Sequence, residues 1–101
     1  MHRIAFVRTV GIAPGKTAVA IRFAHEIAAY SKSAFDVQLE VLSPIGGNPQ
    51  RIAWSARYKD LAAMEAMRRK MLKDKQYLEL TGKATENFVG GSMHDAIWQT
   101  L

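Results

Sequence analysis

Cysteine is absent from this sequence, which excludes disulfides, thiolate metal sites and a cysteine nucleophile. No apolar run approaches the roughly 20 residues that a membrane-spanning helix needs. The chain begins directly with an alternating strand pattern and shows no signal-peptide segment. Its three histidines are dispersed, and no pair has the i, i+4 spacing with which a helix presents two ligands to one metal. We therefore expect a cytoplasmic protein with no membrane segment and no metal site.

Length and composition indicate one globular unit. The chain has 101 residues, of which 49% are hydrophobic and 23% charged, an ordinary balance for a single packed domain. We expect one domain over residues 1–101. The net charge is +5, and five basic residues lie close together in the second half. These are Arg68, Arg69, Lys70, Lys73 and Lys75. Such a cluster could hold the phosphates of RNA or DNA, but a solvated helix face explains it more simply, so nucleic acid is not an expected partner.

The first third of the chain predicts a strand followed by a helix. Residues 4–10 alternate with apolar side chains on both faces, typical of a strand that is covered twice. Gly11 to Thr17 resembles a phosphate-binding loop, but only three residues separate its glycines where that loop needs four, so a plain turn is predicted. A helix is predicted from Lys16 to about Ser33. Its apolar stripe contains Ala20, Phe23, Ile27 and Tyr30.

The middle of the chain predicts a β-hairpin around the loop Ser43 to Gln50. Apolar and polar residues alternate on both sides of this loop, and one register keeps the two faces distinct. The predicted pairs are Phe35 with Tyr58, Val37 with Ala56, Leu39 with Trp54, Val41 with Ile52, Asp36 with Arg57, and Gln38 with Ser55.

The second half predicts further helix and a last strand. Asp60 suits an N-cap, and Asp74 is expected to mark a bend or a restart within helical sequence that runs to about Phe88. Two glycines, Gly90 and Gly91, end that stretch, and residues 94–101 alternate as a strand.

The order β-α-β-β-α-β predicts an α+β, ferredoxin-like fold: a four-stranded antiparallel sheet with two helices on one face. The other face of the sheet has no helix to cover it and carries apolar residues. Its expected members are Ala5, Val7, Thr9, Asp36, Gln38, Arg57 and Ile97. Because a face this apolar is poorly suited to water, we expect a homodimer in which two sheets pack together.

Three segments carry a resemblance to a known superfamily. They are Pro14-Gly15-Lys16, the run from Trp54 to Leu61, and the run from Met71 to Tyr77. With them the chain resembles the dimeric α+β barrel superfamily, above all the small NIPSNAP-like proteins, with the antibiotic-biosynthesis monooxygenases as relatives. The resemblance implies a dimeric barrel, and it leaves the reaction open because members include cofactor-free oxygenases, isomerases, heme enzymes and ligand-sensing domains.

Aromatic and methionine side chains are the candidates for a binding site. Those expected to lie between sheet and helices and to contact a flat organic ligand are Phe23, Tyr30, Trp54, Tyr58, Met67 and Trp98. If chemistry occurs there, His25, His94 or Tyr58 could move the proton without any cofactor. Ordinary core packing is the favoured explanation of the main role of each aromatic residue, and surface or boundary positions are the favoured explanation of the histidines.

The resemblance, together with the aromatic and methionine-rich lining, implies an aromatic or polyketide-like small molecule as ligand, and if chemistry occurs it implies cofactor-free oxygenation or isomerisation. A non-catalytic sensing or protein-interaction module is the alternative.

Overall fold

The computed structural model describes residues 2–101 and contains four strands and three helices. The strands are β1 (Ile4–Gly11), β2 (Glu40–Leu42), β3 (Arg51–Tyr58) and β4 (His94–Gln99). The helices are α1 (Thr17–Phe35), α2 (Leu61–Leu72) and α3 (Lys75–Lys83), followed by a short 3₁₀ turn (Thr85–Asn87). No helix within residues 2–101 is both long enough and apolar enough to cross a membrane.

All four strands form one antiparallel sheet in the order β2-β3-β1-β4. This arrangement, with helices packed on one face, is the predicted ferredoxin-like α+β fold. The core joins α1 to the sheet through one cluster of buried side chains. Its members are Val10, Ile12, Ala20, Ala24, Ile27, Ile52 and Trp54.

The two helices of the second helical region begin at the predicted capping residues. The Asp60 carboxylate accepts a hydrogen bond from the Ala63 backbone N–H at 2.8 Å, which begins α2. Asp74 likewise accepts from the Tyr77 N–H at 2.8 Å and begins α3, so the predicted helix is two helices with a break at Asp74. Gly91 has φ +78°, in the left-handed region that glycine adopts without strain, and the chain turns there into β4.

The hairpin is present, but its predicted register is wrong by two residues. Trp54 lies opposite Val41 instead of Leu39, and the ladder between β2 and β3 contains only three pairs. The reason lies in α1, which continues to Phe35 and ends at Asp36 with a left-handed φ of 55°. Residues 36–39 consequently lie outside the ladder.

The predicted polar pairs of that hairpin are wrong for the same reason. Asp36 forms an ion pair with Lys32 at 2.8 Å, one helical turn back, and Arg57 is not its partner. Gln38 belongs to no strand, and Ser55 lies opposite Glu40.

The two faces of β4 are the reverse of the prediction. Trp98 lies opposite Ala5, on the face without helices, and 66% of it is exposed. Ile97 lies opposite Phe6 and points to the helix side. The prediction placed Trp98 inside and Ile97 outside, because the alternation in residues 94–101 separates two sets without saying which set is covered.

Candidate functional site

A cleft of about 540 Å³ lies between the helix side of the sheet and the three helices. Strands β1, β3 and β4 form its floor, and segment 88–93 forms one rim. The floor residues are Phe6, Arg8, Val10, Trp54, Tyr58, Asp95 and Ile97. The lining is mostly apolar, with a few charged and hydroxyl groups among it, as in ligand-binding clefts generally.

Three aromatic rings form a rigid wall at one end of the cleft. Phe23, Trp54 and Phe88 pack edge to face, with ring centroids 5.8 to 6.3 Å apart. The Trp54 indole N–H donates to the backbone oxygen of Ala24 at 3.2 Å, which fixes the ring against α1. The indole N–H is therefore already used, so Trp54 can contact a ligand only through the apolar part of its ring.

Methionines supply a more adaptable wall. Met64 and Met71 reach the cleft from α2, and Met93 reaches it from the segment before β4. Unbranched thioether side chains change rotamer readily, so this side of the cleft can adjust to the outline of a ligand.

An arginine–aspartate pair lies on the floor. Arg8 on β1 and Asp95 on β4 are directly opposite each other, and the guanidinium donates from Nε and Nη2 to the two carboxylate oxygens at 2.7 and 2.9 Å. The Arg8 side chain is 34% exposed and that of Asp95 38% exposed. The hydrogen bonds from Arg8 lower the pKa of the Asp95 carboxyl, while those to Asp95 raise the pKa of Arg8. Both groups are therefore ionised at neutral pH.

Two tyrosine hydroxyls also belong to the cleft. Tyr58 comes from the end of β3 and Tyr77 from α3, and both side chains are half-buried. Burial raises the pKa of each phenol, and the positive charge of Arg8 offsets this only in part. Both hydroxyls are protonated at neutral pH, and neither has a hydrogen-bond partner within residues 2–101.

The structure brings only some of the predicted site residues together. Phe23, Trp54 and Tyr58 line the cleft. Tyr30 and Met67 do not line it; they pack beside it, around the buried side chains of Phe35, Val37 and Ala56. The Tyr30 hydroxyl is occupied, because it donates to the Asp74 carboxylate at 2.7 Å.

The remaining predicted residues lie elsewhere. Trp98 is on the opposite face of the sheet, so its expected place between sheet and helices is wrong. His25 is exposed on α1, and His94 is exposed at the start of β4 on the helix-free face, opposite Thr9. Neither His25 nor His94 is among the residues that line the cleft.

Sequence reasoning missed Arg8, Tyr77 and Asp95. The signal for Arg8 was present, because it alternates with Phe6 and Val10 and so shares their face of β1. A charged residue in that pattern is easily attributed to solvent, and Asp95 becomes its partner only through pairing between the first and last strands. No metal-binding group of three or more His, Asp or Glu side chains occurs among the described residues 2–101.

The basic cluster is distributed over the surface of the second helical region. Arg68 reaches the rim of the cleft, and its side chain is 63% exposed. Arg68 and Arg69 each lie 3.8 Å from the Glu65 carboxylate, one turn earlier in α2. Exposed pairs at this distance fit the predicted solvated helix face.

No family model matches the chain, and no curated protein matches it. Solved structures do match. A NIPSNAP domain protein from Burkholderia xenovorans is 14% identical, with a TM-score of 0.82 over 97% of this chain and 94% of that one. A NIPSNAP family protein from Agrobacterium tumefaciens is 17% identical, with a TM-score of 0.79 over 99% and 87%.

A candidate antibiotic biosynthesis monooxygenase from Deinococcus radiodurans is also similar in structure. It is 10% identical, with a TM-score of 0.71 over 97% of this chain and 92% of that chain. The fold and cleft therefore place this chain among the small ferredoxin-like α+β proteins, with the fold seen in NIPSNAP-domain proteins. The resemblance expected from the sequence is confirmed at the level of the fold. Sequence identities this low do not show that two proteins share an activity.

Proposed function

We propose that this protein is a homodimer that binds one flat, conjugated organic molecule in the cleft of each subunit. The observation that carries the proposal is the cleft itself. Its volume of about 540 Å³ lies in the range that small-molecule sites occupy. The fixed aromatic wall of Phe23, Trp54 and Phe88 suits a planar ligand, while Met64 and Met71 adapt to its edge.

Binding without turnover is the function that the cleft supports best. Cofactor-free oxygenation or isomerisation would need a base near neutral pKa, and both candidate histidines lie outside the cleft. Tyr58, the third candidate, lines the cleft, but burial raises the pKa of its phenol. Asp95 lines the cleft, but its pKa is lowered by Arg8, which makes its carboxylate a weak proton acceptor. These properties favour a ligand-sensing or carrier role over proton abstraction.

The test uses Trp54 as the reporter of binding. The chain has two tryptophans, so Trp98→Phe leaves Trp54 alone, inside the cleft. Titration with a dihydroxyanthraquinone should quench its fluorescence to saturation, with calorimetry as an independent measure of Kd. The compound should be recovered chemically unchanged.

A pair of matched variants locates the site. Met64 lines the cleft, whereas Met67, one turn further along α2, does not. Met64→Phe should fill part of the cleft and weaken binding about tenfold, an effect of roughly 1.4 kcal/mol. Met67→Phe should leave Kd within about twofold, well under that energy. Absence of saturable binding by flat aromatic compounds, or an equal loss in both variants, would overturn the proposal.

The dimer is supported by the face of the sheet that no helix covers. Trp98 is 66% exposed there, beside partly exposed Ala5 and Val7 on β1. An apolar patch of this kind on a small domain favours association, and a second sheet is the element with the matching shape.

A further inference from the structure

Arg8 has more hydrogen-bond donors than its partner uses. A guanidinium carries five N–H groups, and Asp95 accepts from Nε and Nη2 only. Within residues 2–101, Nη1 of Arg8 has no acceptor. The side chain nevertheless lies on the helix side of β1, between Phe6 and Val10, where strand alternation turns it away from the helix-free face.

Tyr58 and Tyr77 add two further free donors to the same cleft. Their hydroxyls lack partners within the described part of the chain, and both phenols lie close enough to feel the charge of Arg8. The two hydroxyls and the guanidinium therefore place several hydrogen-bond donors close together in one part of the cleft.

The carboxylate on the floor beside this group is already engaged, because both oxygens of Asp95 accept from Arg8. Glu65 belongs to α2 and not to the floor, and its exposed carboxylate lies 3.8 Å from Arg68 and Arg69. The floor of the cleft is thus rich in donors and poor in free acceptors. Its chemical complement is an oxygen atom that accepts several hydrogen bonds and carries negative charge.

We propose that the cleft selects conjugated molecules with an anionic oxygen, such as a carboxylate, phenolate or enolate, and holds that oxygen on Arg8, Tyr58 and Tyr77. This inference rests on the proposed binding function and specifies its ligand class. Asp95 acts as a positioning residue, because its two hydrogen bonds hold the guanidinium against the floor. It also partly neutralises Arg8 and so limits the affinity for the anion.

The competing explanation is that Arg8 and Asp95 form a structural cross-strand pair and nothing more. The two explanations differ in what happens when the pair is broken. A structural pair affects stability and leaves ligand preference unchanged. An anion site affects the preference between charged and neutral ligands of the same shape.

The experiment compares 2-naphthoate with 2-naphthamide by calorimetry at pH 7. The two probes share the ring system and differ in charge. The wild-type protein should bind 2-naphthoate at least about tenfold more tightly, the size expected of charge-assisted hydrogen bonds in a partly buried site. Arg8→Gln should remove that preference and change the affinity for 2-naphthamide by less than about twofold.

Three further variants sharpen the result. Tyr77→Phe should weaken 2-naphthoate several-fold, while Asp95→Asn should strengthen it, because the guanidinium then loses its neutralising partner. Arg57→Gln removes an exposed arginine on the same sheet, outside the cleft, and should change neither probe. If Arg8→Gln fails to fold, Arg8→Lys keeps the charge and should retain part of the preference.

The outcomes are separable. Equal affinity of the wild-type protein for the two probes overturns the anion site while leaving the binding function intact, and so does a preference that survives Arg8→Gln. No binding of either probe or of the dihydroxyanthraquinone overturns the binding function and with it the anion site.

Discussion

At the scale of single residues, Ser31 is the least satisfied polar group within residues 2–101. It is 0% exposed near the C-terminal end of α1, and its hydroxyl has no hydrogen-bond partner there. The Ser31 backbone oxygen is used, because it accepts from the Val37 N–H at 3.2 Å. A buried hydroxyl without a partner costs about 1–3 kcal/mol of folding free energy. The folded protein is therefore less stable with serine at position 31 than it would be with an apolar residue of similar size.

Ser31→Ala should raise the free energy of unfolding by about 1 kcal/mol, from the lost desolvation cost and the higher helix propensity of alanine. Urea unfolding at neutral pH measures the change, with the m value expected to stay constant. Ser33→Ala is the matched control, since Ser33 is exposed on the same helix and reports propensity alone. A gain no larger than that of Ser33→Ala would contradict the account of the buried hydroxyl.

At the scale of elements, Asp74 connects two helices that are far apart in sequence. Its carboxylate caps α3 and accepts the Tyr30 hydroxyl of α1 at 2.7 Å. The Tyr30 hydrogen bond, together with the Tyr77 N–H, lowers the pKa of Asp74. An acid whose pKa is lower in the folded state stabilises the fold above its unfolded pKa, and this stabilisation is lost as the pH falls through the folded pKa.

Tyr30→Phe should therefore lower the thermal midpoint at pH 7. Because protonation of Asp74 weakens the same hydrogen bond, the difference from wild type should shrink as the pH falls below about 4. Melting curves at a series of pH values measure this difference. Tyr58→Phe provides the comparison, since the Tyr58 hydroxyl has no partner within residues 2–101 and its removal should give no such pH dependence. A Tyr30→Phe difference that is constant with pH would refute the role of the Asp74 contact.

Elements were easier to predict than their exact alignment. The caps at Asp60 and Asp74 and the alternation of β1 and β3 are local signals, and the structure confirms them. Register is not local. A slip of two residues keeps every side chain of a strand on its face, so the pattern around Trp54 is equally consistent with Leu39 or Val41 opposite it. The end of α1 at Asp36 decides between them.

The site shows the same division between local and long-range information. Trp54, Tyr58 and Phe23 could be placed in the cleft from their own elements. Arg8 and Asp95 could not be recognised together, because they meet only when the first and last strands pair. A search for charged residues at apolar positions of a strand would have found Arg8 alone.

At the scale of the whole molecule, the helix-free face of the sheet is the basis of the proposed dimer. The proposed dimer buries this face, including Trp98 on the edge strand β4, which is 66% exposed. A charge there would be desolvated in the dimer without a partner, at a cost that association cannot recover. The same charge on an isolated subunit would remain in water.

Trp98→Arg should therefore convert a dimer into a folded monomer, measured by analytical ultracentrifugation over a range of concentrations. Ile45→Arg is the control, because Ile45 is fully exposed in the loop between β2 and β3, and this variant should remain a dimer. A wild-type protein that is monomeric at every concentration would contradict the dimer.

The pairing of Arg8 with Asp95 joins residues that are 87 positions apart, and it has a consequence for how the protein comes to function. The residues before β4 contain β1, the hairpin and all three helices, so these elements can form while β4 is still undocked. Until that last strand docks, the cleft lacks Asp95 and Ile97 from its floor, and the guanidinium has no carboxylate to orient it. If the proposed binding function holds, a ligand that contacts the floor should bind tightly only after β4 has docked, and its binding would then report that the last strand is in place.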